Sequence, residues 1–259
     1  MATLRDKDFK SWKELSDFLN NTFTHFNNFI FRGHANSNWL LESTIARSIK
    51  KFYPSEKDPS LLIRAHLDSF KINIRGKSSI NFKDVSDNEI WALGQHFGLY
   101  TPLLDFTRSP YVALFFALQG QSESGKRCIW ALEEHQIDLL NVAKERKDKL
   151  EMVVPLTNDN QRLVSQQGLF LKIPSDCSIE DLISKYNYSR AGTAFYKLTF
   201  DDIFREDALL ILQNMNINEL TLFPDLIGSA RHSNYLFEIQ PYLLAGQDKV
   251  WKDYNAKTK

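Results

Sequence analysis

Cysteine is scarce in this 259-residue sequence: only Cys128 and Cys177 occur, without a CxxC pair or a nearby set of histidines. That excludes a disulfide framework and a structural zinc site, and it fits a reducing compartment. Net charge is missing as well. The 32 basic and 32 acidic side chains cancel, so no global field steers the protein toward nucleic acid, an acidic membrane or a polyanion. Long apolar runs are absent: Tyr111 to Leu118 is the longest and is far too short to cross a bilayer, and the first residues lack the apolar stretch of a signal peptide. A cytoplasmic location without a membrane partner is the expectation. No Gly/Ser-rich or Pro-rich linker, internal repeat or low-complexity tract breaks the chain, so one domain over residues 1–259 is expected. Several reaction signatures are also missing: Gly-x-Gly-x-x-Gly, the phosphate loop, His-Glu-x-x-His and the Gly-x-Ser-x-Gly elbow. The six histidines, at positions 25, 34, 66, 96, 135 and 232, form no ligand set, and no metal is predicted.

What is present is apolar mass. Hydrophobic residues make up 43% of the chain, with 19 phenylalanines among them, enough for a large core. Apolar spacing predicts a helix over Phe9 to Phe23 and then a strand over Phe26 to Phe31, ended by Arg32-Gly33. Further helices are predicted over Thr44 to Lys51, Pro59 to Ile74 and Asn88 to Phe97, the last stopped by Gly98. Ser109 and Pro110 read as the N-cap and first residue of a helix over 111–118, apolar on every side and so buried, whose amino end would favour anions. Arg127 to Leu132, Leu169 to Ile173 and Phe195 to Phe200 read as strands. Ile179 to Tyr186, Asp201 to Asn214 and Asp225 to Tyr235 read as helices, and the run Arg146, Lys147, Lys149 reads as a solvated helical face. Without strict βαβ alternation the class is α+β, a mixed sheet core flanked by helices.

Ordered blocks of residues then carry a likeness. Phe31-Arg32-Gly33-His34 with Trp39 and Leu41 come first, followed by Gln95-His96-Phe97-Gly98-Leu99, Thr101, Leu103-Leu104-Asp105-Phe106-Thr107, Pro110, Ala113-Leu114 and Phe116-Ala117. Arg162, Gln167-Gly168, Phe170 and Leu222-Phe223-Pro224-Asp225-Leu226 complete the series, which resembles the FRG domain family over a core of about residues 26–235. A strand ending in aromatic-Arg-Gly, a strand containing threonine and a helix with an Ala-x-x-Phe-Ala pattern are also similar to the core of ADP-ribosyltransferases, which allows a split sheet and, by analogy, an NAD-consuming activity: ADP-ribosyl transfer or NAD glycohydrolysis.

The likeness implies roles. Arg32 would clamp the pyrophosphate of NAD, since a planar guanidinium can make paired charge-assisted bonds. Thr107 would support the nicotinamide-side ribose, and Asp105 would fix Arg32 or Arg108. Gly33, His96, Thr101, Arg108 and Arg162 complete the implied cofactor-binding set. Such transferases use a late glutamate, which this sequence does not place; Gln167 stands near that point, and Asp225 or Glu219 could supply a carboxylate, although Asp225 after Pro224 is equally a helix N-cap. With His34 as a candidate acid–base group, Gln167, Asp225 and His34 form the implied catalytic set. Plainer expectations stand beside these: Arg32 as a structural partner of Asp105 or Glu42, Gly33 in a tight turn, the histidines as caps or wall residues, and Trp39 in the core. The alternative function is a non-catalytic module that holds a nucleotide, a nucleic-acid end or a peptide in the same cleft. A small-molecule nucleotide is the expected partner, with no strong nucleic-acid signal and no defined macromolecular target.

Overall fold

The apolar runs of the sequence become the strands and helices of a mixed α+β fold in the computed structural model, which describes residues 3–77, 85–141, 149–155, 161–185 and 194–257. The charged face expected around Arg146 and Lys147, and Tyr186 at a helix end, lie outside the described residues. Two units make up the chain, Met1–Asp202 and Ile203–Lys259.

In the first unit the elements run β1 (Thr3–Phe9), α1 (Trp12–Phe23), β2 (Phe29–His34), α2 (Thr44–Phe52), α3 (Ser60–Asn73), α4 (Asp87–His96), β3 (Leu103–Thr107) and α5 (Pro110–Ala117). They continue as β4 (Lys126–Glu133), α6 (Glu134–Asn141), β5 (Glu151–Val153), α7 (Gln161–Ser165), β6 (Gly168–Lys172), α8 (Ile179–Lys185) and β7 (Ala194–Asp201). Among the described residues the strands form one sheet in the order β1-β7-β4-β2-β3-β6-β5. Only the β1–β7 pair is parallel; the other pairs are antiparallel. β1 was not expected from the sequence. Its Arg5, Asp6, Lys7 and Asp8 are exposed, a charge pattern that suits an edge strand because it discourages pairing with another chain and that hides the strand from an apolar-pattern reading.

Helix starts follow their caps. The Ser43, Ser86 and Ser109 hydroxyls accept from the backbone N–H groups of Ala46, Glu89 and Val112, and Ser86 with Glu89 completes a capping box. The sheet buries apolar side chains on both faces. Ile30, Leu104, Phe106, Trp130, Leu132, Leu169 and Leu171 pack with residues of α6 and α8 in one core, while Ile45, Ile49, Leu67, Trp91, Leu103 and Phe170 pack in another beneath α2, α3 and α4. Under α1, Phe23 meets Phe29 and Phe31 edge-on, each at 5.0 Å between ring centroids.

Arg32 and Gly33 do not end β2, as the sequence suggested; the strand runs through them to His34. Gly33 therefore sits in no turn. A Cβ there would lie 1.9 Å from the Ala113 carbonyl oxygen and 2.5 Å from the Ala117 nitrogen, so the glycine is required for α5 to lie directly on the strand. The far end of α5 is held by Arg127, whose side chain has 0% exposure. Its Nη1 donates to the carbonyls of Ala117 (2.7 Å) and Gln119 (3.2 Å), its Nη2 donates to that of Gly120 (2.8 Å), and its Nε pairs with Asp202. The guanidinium thus satisfies carbonyls that a helix end leaves open.

The second unit holds α9 (Arg205–Asn214), α10 (Glu219–Leu222) and α11 (Leu226–Lys257). The last is much longer than the Asp225 to Tyr235 segment expected, continuing through Pro241. Tyr242 ties it to α9 by donating its hydroxyl hydrogen to Asp207 at 2.6 Å.

Candidate functional site

β2 and β3 are neighbours in the sheet, yet they share only the bridge Phe31–Thr107. Beyond that pair the ladder stops and the sheet splits. The Arg32 guanidinium fills the opening: Nη1 donates to the main-chain carbonyl of Asp105 at 2.7 Å, and Nε donates to Nε2 of His34 at 3.1 Å. Asp105 Oδ2 lies 3.5 Å from Nη1, a weak ion pair at this distance. Among the described residues no acceptor faces Nη2 of Arg32. The side chain is 23% exposed, so Nε and Nη1 are fixed to the protein while Nη2 is left with its donors. Burial draws the guanidinium pKa below its ordinary value, opposed by the Asp105 charge. Glu42, the other partner considered, pairs with Lys50 instead.

His34 is buried, and its ring is set by two bonds: Nε2 accepts from Arg32, and Nδ1 faces the carbonyl oxygen of Trp39 at 3.2 Å. Both bonds are satisfied by the neutral tautomer with hydrogen on Nδ1. Burial first, then the Arg32 charge, pulls its pKa down to about 3, with Lys197 and Arg47 adding to the effect. His34 is therefore neutral near neutral pH, and the field around it is positive. Lys197 on β7 lies in the same cross-strand row as Arg32, with Trp130 between them, and its ammonium sits 5.4 Å from the Trp130 ring centroid.

On the other side, the Asp105 carboxylate is exposed (67%) and accepts from Gln95 Nε2 at 2.9 Å. The Gln95 carbonyl accepts from the Thr101 hydroxyl. Thr101 is fully buried and exchanges bonds with Thr44: its N–H donates to Thr44 Oγ1 at 2.9 Å, and Thr44 Oγ1 donates back to its carbonyl at 3.2 Å. A continuous hydrogen-bonded chain thus runs Thr44, Thr101, Gln95, Asp105, Arg32, His34, Trp39. Of the residues named from sequence, it joins Arg32, His34, Thr101 and Asp105. Gln95 and Thr44 were missed as site members; Gln95 stood in the quoted block beside His96, and that adjacency was the available signal. Thr101 serves the chain as a buried support.

Thr107, Arg108, Arg162 and Gln167 gather elsewhere, where β3 meets the turn before β6. The Thr107 hydroxyl donates to the Gln166 carbonyl at 2.7 Å and accepts from Ser109 N at 3.1 Å. Arg108 N donates to the Gln167 carbonyl at 3.0 Å, and Gln166 N donates to that of Arg162 at 2.9 Å. Gln167 has an exposed side chain on a backbone with φ of 47°. The Arg108 side chain pairs with Glu134. With Ser109 N bonded to Thr107 and Val112 N to Ser109, two donors at the amino end of α5 are taken within the protein. His96 is exposed at the end of α4, its ring edge-on to Phe97. Asp225 lies in the second unit as the N-cap of α11, Oδ1 accepting from Gly228 N at 2.9 Å. Glu219, in the same unit, is buried, which raises its pKa.

Trp39 departs from its expected place in the core: it is 51% exposed, in a loop pinned on three sides. Ser37 N donates to the Lys126 carbonyl at 3.0 Å, the Trp39 carbonyl meets His34, and Leu41 N donates to the Glu180 carboxylate at 3.0 Å.

The fold and site define an α+β mixed-sheet domain with an arginine set in a strand split. Residues 27–126, less than half of the chain, match the family model of the FRG domain, so an FRG domain is present over that stretch, which holds Arg32, His34, Gln95, Thr101 and Asp105. The similar blocks at Arg162 to Phe170 and at Leu222 to Leu226 lie beyond it. No curated protein and no solved structure matches the chain. Among the described residues no helix is long and apolar enough to cross a membrane, and no group of three or more His, Cys, Asp or Glu could hold a metal ion.

Proposed function

We propose that the split between β2 and β3 is a phosphate-binding site for a nucleotide, with Arg32 as the clamp. The observation that carries this reading is the anchoring of the guanidinium. His34 and the Asp105 carbonyl hold Nε and Nη1, while Nη2 keeps donors that no described residue accepts. A fork fixed at Nε and Nη1 loses little freedom on meeting an anion, and planar donors suit phosphate oxygens. Lys197 and Arg47 add positive potential at the same place. NAD is the ligand that the likeness to ADP-ribosyltransferases favours, because its pyrophosphate presents paired oxygens.

The test is calorimetric titration of the protein with pyrophosphate and with NAD, repeated on Arg32→Ala and Arg32→Lys. Both variants should lose binding, because lysine cannot bond His34, the Asp105 carbonyl and a ligand at once. Equal binding by Arg32→Ala, or none by the parent protein, would sink the reading.

One observation favours catalysis in addition to binding. Asp105 presents an exposed carboxylate, oriented by Gln95, beside the clamp, where it could offset positive charge developing on a ribose. In NAD hydrolysis the nicotinamide leaves with the electron pair of its bond to ribose C1′, water oxygen bonds that carbon, and a proton passes to solvent. Nicotinamide release that falls in both Arg32→Ala and Asp105→Asn, with Gln167→Ala as a further variant, is the expected result. No release by the parent protein would leave a binding module.

A further inference from the structure

We infer that Trp39 is the platform on which the aromatic base of that nucleotide stacks; the inference rests on the phosphate reading of Arg32 and extends it from the anion to the base. Half of the Trp39 side chain faces solvent, although an indole is among the more costly groups to leave there. Its backbone is not loose. The Trp39 N–H donates to the Asn36 carbonyl at 3.1 Å, Asn38 N donates to Asn36 Oδ1 at 2.9 Å, and the bonds of Ser37 and Leu41 fix the loop to β4 and to Glu180. An exposed indole on a pinned loop is ready to stack, because its position is settled before a ligand arrives.

Its place relative to the clamp is the second observation. Arg32 touches His34, and His34 touches Trp39 twice, through the carbonyl at 3.2 Å and through an edge-on ring contact at 6.1 Å between centroids. The guanidinium and the indole are thus separated by one imidazole, a spacing that a sugar can bridge between a phosphate and its base. The rigid ring of His34 sets that separation. Stacking on an indole tolerates any base, since every base has a π-face, so the site would select nucleotides over inorganic phosphates without strongly selecting which nucleotide.

The experiment compares ADP with pyrophosphate by calorimetry on the whole chain, in the parent protein and in Trp39→Ala, Trp39→Phe and Arg32→Ala, with melting curves to verify folding. The parent should bind ADP more tightly than pyrophosphate. Trp39→Ala should weaken ADP by about tenfold while leaving pyrophosphate unchanged, Trp39→Phe should recover most of the loss, and Arg32→Ala should lose both ligands. If the parent binds ADP and pyrophosphate equally, or if Trp39→Ala keeps their ratio, the platform is wrong while the phosphate reading survives. An equal loss of both ligands in Trp39→Ala would mean that the residue acts only by holding His34, and would also overturn the inference. Failure of the parent to bind either ligand overturns both readings.

Discussion

Replacing Gly33 by alanine tests how the strand carrying Arg32 is built. The new Cβ would stand 1.9 Å from the Ala113 carbonyl oxygen, where real contacts essentially never fall below 3.0 Å, so α5 must retreat by more than about 1 Å. The obstacle is backbone and cannot rotate away. Val112, Ala113, Leu114, Phe115 and Ala117 of that helix are all buried, so a shift loosens contacts along its whole length. Overpacking of this kind costs about 3 kcal/mol, equivalent to a fall in melting temperature of about 6–12 °C for a chain of this size. Gly98→Ala is the contrast: φ there is 86° with nothing within 4 Å of the added atom, so only backbone strain of about 1 kcal/mol is expected. Circular-dichroism melts and urea titrations of both variants measure the difference. A Gly33→Ala protein that melts within 2 °C of its parent, or no lower than Gly98→Ala, would refute the account of the α5–β2 contact.

Two further outcomes follow from buried charge. Arg127→Met should cost about 3 kcal/mol in urea unfolding, since it leaves Asp202 and three carbonyls without their donor, and Arg127→Lys should recover only part of this; a loss under about 1 kcal/mol would contradict the assigned role. His34, held at about 3 by burial, has a folded pKa below the roughly 6.5 of an unfolded histidine. The unfolded chain therefore takes up the proton first, so the stability gained by keeping His34 neutral is complete above pH ~6.5 and is lost as pH falls toward 3, by up to ~1.4 kcal/mol per pH unit. His34→Gln should flatten that slope in stability measured against pH, and an unchanged slope would argue against a buried, neutral His34.

The sequence disclosed elements whose signals are local. Ser109-Pro110 announced α5, Gly98 announced the end of α4, and the unbroken apolar stretch Cys128 to Leu132 announced β4, because caps, turns and burial act over a few residues. It hid what depends on distant partners. The charges of β1 masked an edge strand that becomes visible only when paired with β7. Gly33 looked like a turn residue because nothing within the strand reports a helix 80 positions later pressing on it. Trp39 was assigned to the core on its apolar character, whereas its exposure follows from where three hydrogen bonds hold its loop. Within the site, Arg32 and Asp105 were legible as a charged pair, but their principal bond uses the Asp105 main-chain carbonyl, which no side-chain pattern encodes. The Thr107 hydroxyl, expected to face a ribose, already makes two bonds inside the protein.

The single bridge between β2 and β3 has a mechanical side. Elsewhere the sheet is riveted by ladders that share load among many backbone bonds, so losing one changes little. At this seam the half containing β1, β7, β4 and β2 meets the half containing β3, β6 and β5 through one residue pair, with α5 lying as a splint across β2, β3 and β4. Stiffness there depends on side chains: the Arg32 fork, bonded across the seam to the Asp105 carbonyl, and the missing Cβ of Gly33, which lets α5 lie on the strand. The seam is consequently where the sheet can give, and the Arg32 bond to the Asp105 carbonyl is a tie between its two halves beyond the one ladder pair.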